Sequence, residues 1–296
     1  MTTRGRAELA LFATTFVWGS TFVVVKSGTE NISPSLFIAL RFGTGALIFA
    51  VLLFRQLRSI QRRTIIKAVT LGSMLGIGIL LQNIGIYHTT ASKAAFITGL
   101  MVIFTPVAQL ILERRPPKLG NIAGIIIVTF GLYLLTSPTG SEINVGDVLV
   151  LISAAIFGVY IVFLDMYSRA ENVFHLAFLQ VTMTTLIAVF VLPFETIKFE
   201  PSTQLFLSLL YMGVCATVFT TYVQTRFQKD TSPTRAVIIF TIEPVIAAVL
   251  AYYVLGEVLG IAGVIGAGVI VAGILISEFS DSLLSKFGMN VQAVED

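Results

Sequence analysis

Residues 16–26 read Phe-Val-Trp-Gly-Ser-Thr-Phe-Val-Val-Val-Lys, and residues 155–165 read Ala-Ile-Phe-Gly-Val-Tyr-Ile-Val-Phe-Leu-Asp. Laid over one another, they put Trp18-Gly19 on Phe157-Gly158 and Lys26 on Asp165. In the same register Arg41 falls on Gln180 and Leu47-Ile48 on Leu186-Ile187. Shifted by one residue, Thr105-Pro106-Val107 falls on Glu243-Pro244-Val245. The chain therefore reads as one module written twice, with five apolar stretches in each copy. An odd number of crossings makes the second copy enter the bilayer from the opposite side, the inverted arrangement found in many secondary transporters.

Hydropathy supports the same reading. With 56% hydrophobic and 12% charged residues and a mean hydropathy of +0.92, the chain is too apolar for a soluble domain. Runs of about 20 apolar residues read as membrane helices, placed at 7–25, 33–54, 66–87, 94–112, 119–136, 146–164, 173–192, 203–225, 235–255 and 258–277. The expected fold class is an all-α polytopic membrane protein, ten transmembrane helices forming two inverted five-helix repeats. An outer-membrane barrel needs alternating segments of about 10 residues, whereas Val264 to Ile276 is almost continuously apolar. Only Arg4 and Arg6 precede the first span and no small-residue cleavage site follows, so it reads as a retained helix and not a signal peptide.

Repeat boundaries follow from the same pattern. Residues 1–137 form the first copy, 138–145 a linker, 146–278 the second copy and 279–296 a frayed cytoplasmic tail. The linker lies within Ser137-Pro-Thr-Gly-Ser-Glu-Ile-Asn-Val-Gly146, polar and broken by Pro and Gly.

Basic residues set the orientation, because positively charged loops stay cytoplasmic. With both termini inside, the cytoplasmic segments hold Arg4, Arg6, Arg55, Arg58, Arg62, Arg63, Lys67, Arg114, Arg115, Lys118, Arg169, Arg226, Lys229, Arg235 and Lys286. The other face holds Lys26, Lys93 and Lys198, and Arg41 lies inside a span. This bias accounts for the pI of 9.0 without nucleic acid as a partner. The lone Cys215 sits in an apolar span and reads as a small core residue.

Enzymatic signatures are missing: no His-Glu-x-x-His, no phosphate-cradling glycine loop, no cysteine pair for a metal. No cofactor or metal is expected. His88 and His175 fall at span ends. The informative residues are polar groups at membrane depth, which are expensive unless paired or facing water. Arg41 lies in the second span and Glu243 near the middle of the ninth; they read either as a structural ion pair or as a substrate or proton site. Gln82 and Asn83 in the third span, Tyr160 in the sixth, Gln180 in the seventh, and Tyr222 and Gln224 in the eighth read as a polar cavity lining or as interhelical hydrogen bonds. Trp18, with Gly19 and Ser20, sits mid-span instead of at an interface and would wall such a cavity. Pro106 and Pro244, at matching places in the two copies, weaken the fourth and ninth helices and mark a hinge or binding region. Gly120-x-x-x-Gly124 and Gly256-x-x-x-Gly260 read first as intramolecular helix packing and second as a dimer contact, so monomer and homodimer both stand.

These residues resemble the drug/metabolite transporter superfamily, in particular its EamA-like branch. The resemblance is carried by Trp18-Gly19-Ser20 with Lys26, then Pro34 and Arg41, Thr231-Ser-Pro-Thr-Arg-Ala236, Glu243-Pro244-Val245 and Leu255-Gly256-Glu257. Two departures stand out: the first copy has Pro116-Pro117-Lys118 where the second has Glu257, and Phe157 replaces the tryptophan. The resemblance implies a carrier in the inner or plasma membrane, without ATP, that exports small metabolites such as amino acids or related amphipathic compounds. Its cavity would lie between helices one to four and six to nine, with helices five and ten at the periphery. The implied site set is Trp18, Ser20, Arg41, Gln82, Asn83, Tyr160, Gln180, Tyr222 and Glu243, with Glu243 the candidate for proton coupling. A passive channel or facilitator, and a non-transporting scaffold, are the competing classes.

Overall fold

The computed structural model describes residues 2–28, 31–55, 59–117, 119–136, 144–258 and 260–286. Its first half contains α1 (Thr3–Gly28), α2 (Pro34–Leu52), α3 (Arg62–His88), α4 (Ala91–Gly99), α5 (Met101–Glu113) and α6 (Leu119–Thr136). The second half contains α7 (Val145–Ser168), α8 (Val173–Val191), α9 (Thr203–Gly213), α10 (Thr220–Phe227), α11 (Pro233–Phe240), α12 (Glu243–Leu255) and α13 (Ile261–Lys286). The pairs α4–α5 and α11–α12 each make one broken span, and α9 joins α10 through a π-helical segment, Val214–Phe219. Eight spans are long and apolar enough to cross a bilayer, and the shorter apolar runs of α6 and α13 complete ten. Backbone groups inside lipid must be satisfied within the segment, which is why apolar runs of this length form helices. Side-chain hydroxyls obey the same constraint: Thr14 and Thr15 both donate to the Leu11 carbonyl.

Glycines show the two copies packing with the same geometry. A methyl added at Gly72 would meet Met183 Cβ at 2.5 Å and the Gln180 carbonyl at 2.8 Å; one at Gly213 would meet Thr44 Cβ at 3.1 Å and the Arg41 carbonyl at 3.3 Å. Arg41 and Thr44 are the repeat counterparts of Gln180 and Met183, so α3 lies on α8 as the α9 segment lies on α2. Likewise Gly19 packs on Ile246 and Glu243 of α12, and Gly158 on Phe104 and Thr105 of α5. Every one of these contacts joins one copy to the other, so the repeats interlock into a single bundle. Close backbone approach at small residues is the usual way membrane helices associate.

Helices α6 and α13 pack chiefly on each other, with Gly124 against Ser277 and Gly273, and Gly131 against Gly266 and Ile270. Gly124 thus meets the expectation of intramolecular packing. Gly256 and Gly260 do not: Gly256 closes α12 in the left-handed conformation at φ 68°, and no described residue lies within 4 Å of a methyl placed on either.

The broken spans refine the proline reading. Pro244 stands in the first turn of α12, where its missing N–H costs nothing, and the break lies just before it at Thr241–Ile242. Pro106 lies inside α5, and the break in that span falls earlier, at Leu100. Two boundaries also move. Asn144 and Val145, placed in the linker by sequence, start α7, with Asn144 and Asp147 forming a capping box. Helix α13 continues to Lys286, past the expected start of the tail at 279. Residues 138–143 of the linker and 287–296 of the tail lie outside the described residues.

Loop chemistry ties the ends. Lys26 donates to the Ile86 and Thr89 carbonyls at the C-terminus of α3, at 3.1 and 2.7 Å, the favoured place for a cation. Glu257 accepts from the Ala91 and Ser92 N–H groups at the start of α4, the favoured place for an anion.

Candidate functional site

A cavity midway along the bundle holds about 90 Å³ open to the centre of a water-sized sphere. At roughly 10–15 Å³ per water on that measure, it accommodates several waters or a small polar solute. Helix α1 contributes Trp18 and Thr21, α2 Arg41 and Phe42, and α3 Leu75, Ile79 and Gln82. Helix α7 adds Phe157, Tyr160 and Ile161, and the eighth span adds Ala216, Thr221 and Gln224. The two broken spans supply the residues that flank their breaks: Thr98 and Met101 around Leu100, Phe240 and Glu243 around Thr241–Ile242. Discontinuous helices at a midplane site between repeats are the usual construction of a secondary transporter.

Arg41 is buried and held from the eighth span. Its Nε donates to Thr217 Oγ1 and its Nη2 to the Ala216 carbonyl, each at 3.0 Å, and its guanidinium lies 4.9 Å from the Phe42 ring centre. Ala216 and Thr217 belong to the π-helical segment, whose wider turn aims a backbone carbonyl at the cation. Glu243 is the first residue of α12, at the positive end of that helix. Among the described residues its carboxylate makes no hydrogen bond or ion pair. The structural ion pair between Arg41 and Glu243 is therefore not formed; both groups border the same cavity.

Of the nine site residues expected from sequence, Trp18, Arg41, Gln82, Tyr160 and Glu243 line the cavity. Trp18 stands edge-on to Phe240 at 5.2 Å, and Gln82 donates to Thr98 at 3.0 Å. The other four lie elsewhere. Ser20 shares a hydrogen bond of 2.6 Å with the Tyr211 hydroxyl. Asn83 donates back to the Ile79 carbonyl within α3. Tyr222 stacks on Phe174 at 4.7 Å. Gln180 sits behind the wall, accepting from the Tyr160 hydroxyl at 2.9 Å and donating to Thr225 at 3.1 Å, so it anchors Tyr160 from outside the cavity.

Helical geometry explains the sorting. Successive residues are turned by about 100°. Trp18 and Thr21, three apart, share a face that Ser20 misses; Thr221 and Gln224 share one that Tyr222 misses; Gln82 faces inward and its neighbour Asn83 does not. Gln224, read from sequence as a cavity candidate though outside the implied site set, lines the cavity. Its three-residue spacing from Thr221 was a legible signal for Thr221, which the sequence reading missed. Thr98 carried none, because its exposure to the cavity depends on the break that follows it.

His88 ends α3 edge-on to Tyr87, and His175 lies in the first turn of α8; neither borders the cavity. Cys215 is a free, half-buried thiol. Among the described residues no three His, Cys, Asp or Glu side chains gather as metal ligands.

A ten-span inverted repeat around a midplane cavity defines the class of a membrane transporter. The model of the EamA-like transporter family matches residues 5–137 and again 144–279, one match for each copy, and the chain belongs to that family. It is similar to an uncharacterized transporter of Archaeoglobus fulgidus, at 30% identity over 91% of this chain and 85% of the relative. It is also similar to the uncharacterized transporter YoaV of Bacillus subtilis, at 25% identity over 94% of this chain and 98% of the relative. The uncharacterized inner membrane transporter YedA of Escherichia coli K12 is 24% identical over 90% of this chain and 89% of the relative. A solved crystal structure shares the fold, with a TM-score of 0.79 over 95% of this chain and 99% of the other at 18% identity.

Proposed function

We propose that this multi-pass membrane transporter is a secondary carrier exporting small amphipathic metabolites, amino acids or related compounds, by alternating access about the midplane cavity. The observation that carries the reading is the cavity wall itself. It is built from both repeats and from both broken spans, and it offers a guanidinium, a carboxyl group that no other described residue pairs, an indole ring and two side-chain amides in one small volume. A substrate with a charged or hydrogen-bonding head and an apolar body finds partners for both parts there.

Arg41 is the group that receives an anionic head, Glu243 the group that receives a cationic head or a coupling proton, and Trp18 with Phe240 the surface for the apolar body. Proton coupling and uncoupled facilitated transport both fit one acidic group in the cavity. The excess of basic residues in loops on one side supports a location in the inner or plasma membrane with both termini cytoplasmic.

The test is counterflow in proteoliposomes against a panel of amino acids, amines and nucleosides, with Glu243→Gln and Arg41→Gln beside the parent protein. Saturable exchange that either variant loses while still folded is the expected result. Flux that rises linearly with concentration and never saturates would point to a channel, and no flux with any of the panel would remove the carrier reading.

A further inference from the structure

Two ion pairs join the copies at opposite ends of the bundle, and the repeat maps one onto the other. At the end where α7 begins, Lys93 of α4 meets Asp147 of α7 at 2.7 Å. At the end where α1 begins, Arg235 of α11 meets Glu8 of α1 at 3.2 Å. Glu8 and Asp147 are 139 positions apart, the register that also superposes Trp18 on Phe157. Lys93 and Arg235 are each the third residue of their helix, and the N–H of each donates to the side chain of its helix's N-cap, Thr90 and Ser232. Five spans separate the start of α1 from the start of α7, so the two pairs stand on opposite faces.

We propose that these are paired latches, Lys93–Asp147 closing the cavity on one face and Glu8–Arg235 on the other, which open alternately during transport. The proposal rests on the alternating-access reading and adds the gates to it. Each latch joins a first helix of one copy to the broken fourth helix of the other, and all four helices wall the cavity through Trp18, Thr98, Phe157 and Phe240. Separating either pair therefore parts two cavity walls at one end. The geometry is that of a switch and not of surface decoration: one partner in each pair is close to fully buried, Arg235 at 5% and Asp147 at 6% side-chain exposure. Both acids also keep a partner on their own side of the latch, Asp147 the Asn144 N–H and Glu8 the Arg4 side chain. The basic residue is thus the part that leaves, and the acid keeps partners when it does. An acid that stays satisfied lowers the cost of opening a buried ion pair.

The experiment reads access and needs no substrate, so its outcome stays separate from any failure to find flux. Leu75→Cys in a Cys215→Ala background places a thiol on the cavity wall. Membrane-impermeant maleimide is then applied from either face of oriented vesicles. Lys93→Gln is expected to raise labelling from the α7-start face by roughly fivefold or more and to lower it from the other. Arg235→Gln is expected to do the reverse, while Lys93→Arg and Arg235→Lys leave the parent pattern. If both Gln variants shift labelling the same way, or neither shifts it, the latches are refuted. A second arm covers loss of folding: Lys93→Cys with Asp147→Cys, joined by a bifunctional thiol reagent, should abolish labelling from the α7-start face only. Unchanged labelling from that face after joining would overturn the proposal equally.

Discussion

Arg41 Nε donates to Thr217 Oγ1 at 3.0 Å, linking the second span of one copy to the π-helical turn of the other. Thr217→Val keeps the methyl that packs on Gly45 and removes only the acceptor. The expected cost is about 1–2 kcal/mol, the upper range for hydrogen bonds between membrane helices, because the donor is charged. Denaturant unfolding in detergent measures it. Counterflow should fall as well, since the guanidinium then loses a hydrogen bond that fixes its direction beside the Ala216 carbonyl.

Gly72 and Gly260 separate a packing glycine from an incidental one. Gly72→Ala drives a methyl into Met183 Cβ and the Gln180 carbonyl, and overpacking against backbone costs about 1–3 kcal/mol. Gly260→Ala meets no described residue within 4 Å, so its cost is only that of alanine for glycine at the N-cap of α13, under about 1 kcal/mol. Gly213→Ala, with its looser contacts to Thr44 and the Arg41 carbonyl, should fall between them. Thermal melts of the three variants in one detergent provide the ranking.

Glu171 lies in the turn between α7 and α8. The hydrogen bond from Lys67, then that from Thr64, then the charges of Lys67 and Arg63, hold its carboxyl below the usual glutamate range. A carboxyl depressed in the folded state contributes stability that is present above its unfolded value of about 4.3 and is lost as pH falls through the lower folded value. Glu171→Gln should therefore melt below the parent at pH 7, and the two curves should converge under acid conditions. A melting series from neutral to acid pH tests the convergence.

Arg114 ends α5 at φ 56°, the left-handed region, in the place where Gly256 ends α12 at φ 68°. A side chain there is strained by roughly 1–2 kcal/mol and glycine is not. Arg114→Gly should raise the melting temperature, the gain being partly offset by the greater freedom of glycine in the unfolded chain. Loss of stability in that variant would show that the Arg114 side chain holds a contact worth more than the strain.

The site was partly readable in advance because polar groups are rare in spans and each one must be satisfied or face water. That logic singled out Arg41, Gln82, Tyr160 and Glu243, and a place mid-span instead of at an interface singled out Trp18. It could not separate Gln82 from Asn83 or Gln224 from Tyr222, since neighbours on one helix differ in direction and not in composition. Nor did it foresee the π-helical turn: Val214–Phe219 contains neither Gly nor Pro, and its widened backbone is tied to the Arg41 guanidinium seated on the Ala216 carbonyl.

Taken alone, the sequence determined the number and order of the spans, their duplication and the membrane as solvent, because these depend on local apolar length and on repeated spacing. Tertiary structure decided which polar side chains reach the cavity, where the fourth and ninth spans break, and that Lys93 meets Asp147 while Arg235 meets Glu8. Those outcomes depend on helix rotation and on contacts between residues far apart in the chain, and hydropathy averages over a span without recording the direction in which any one side chain points.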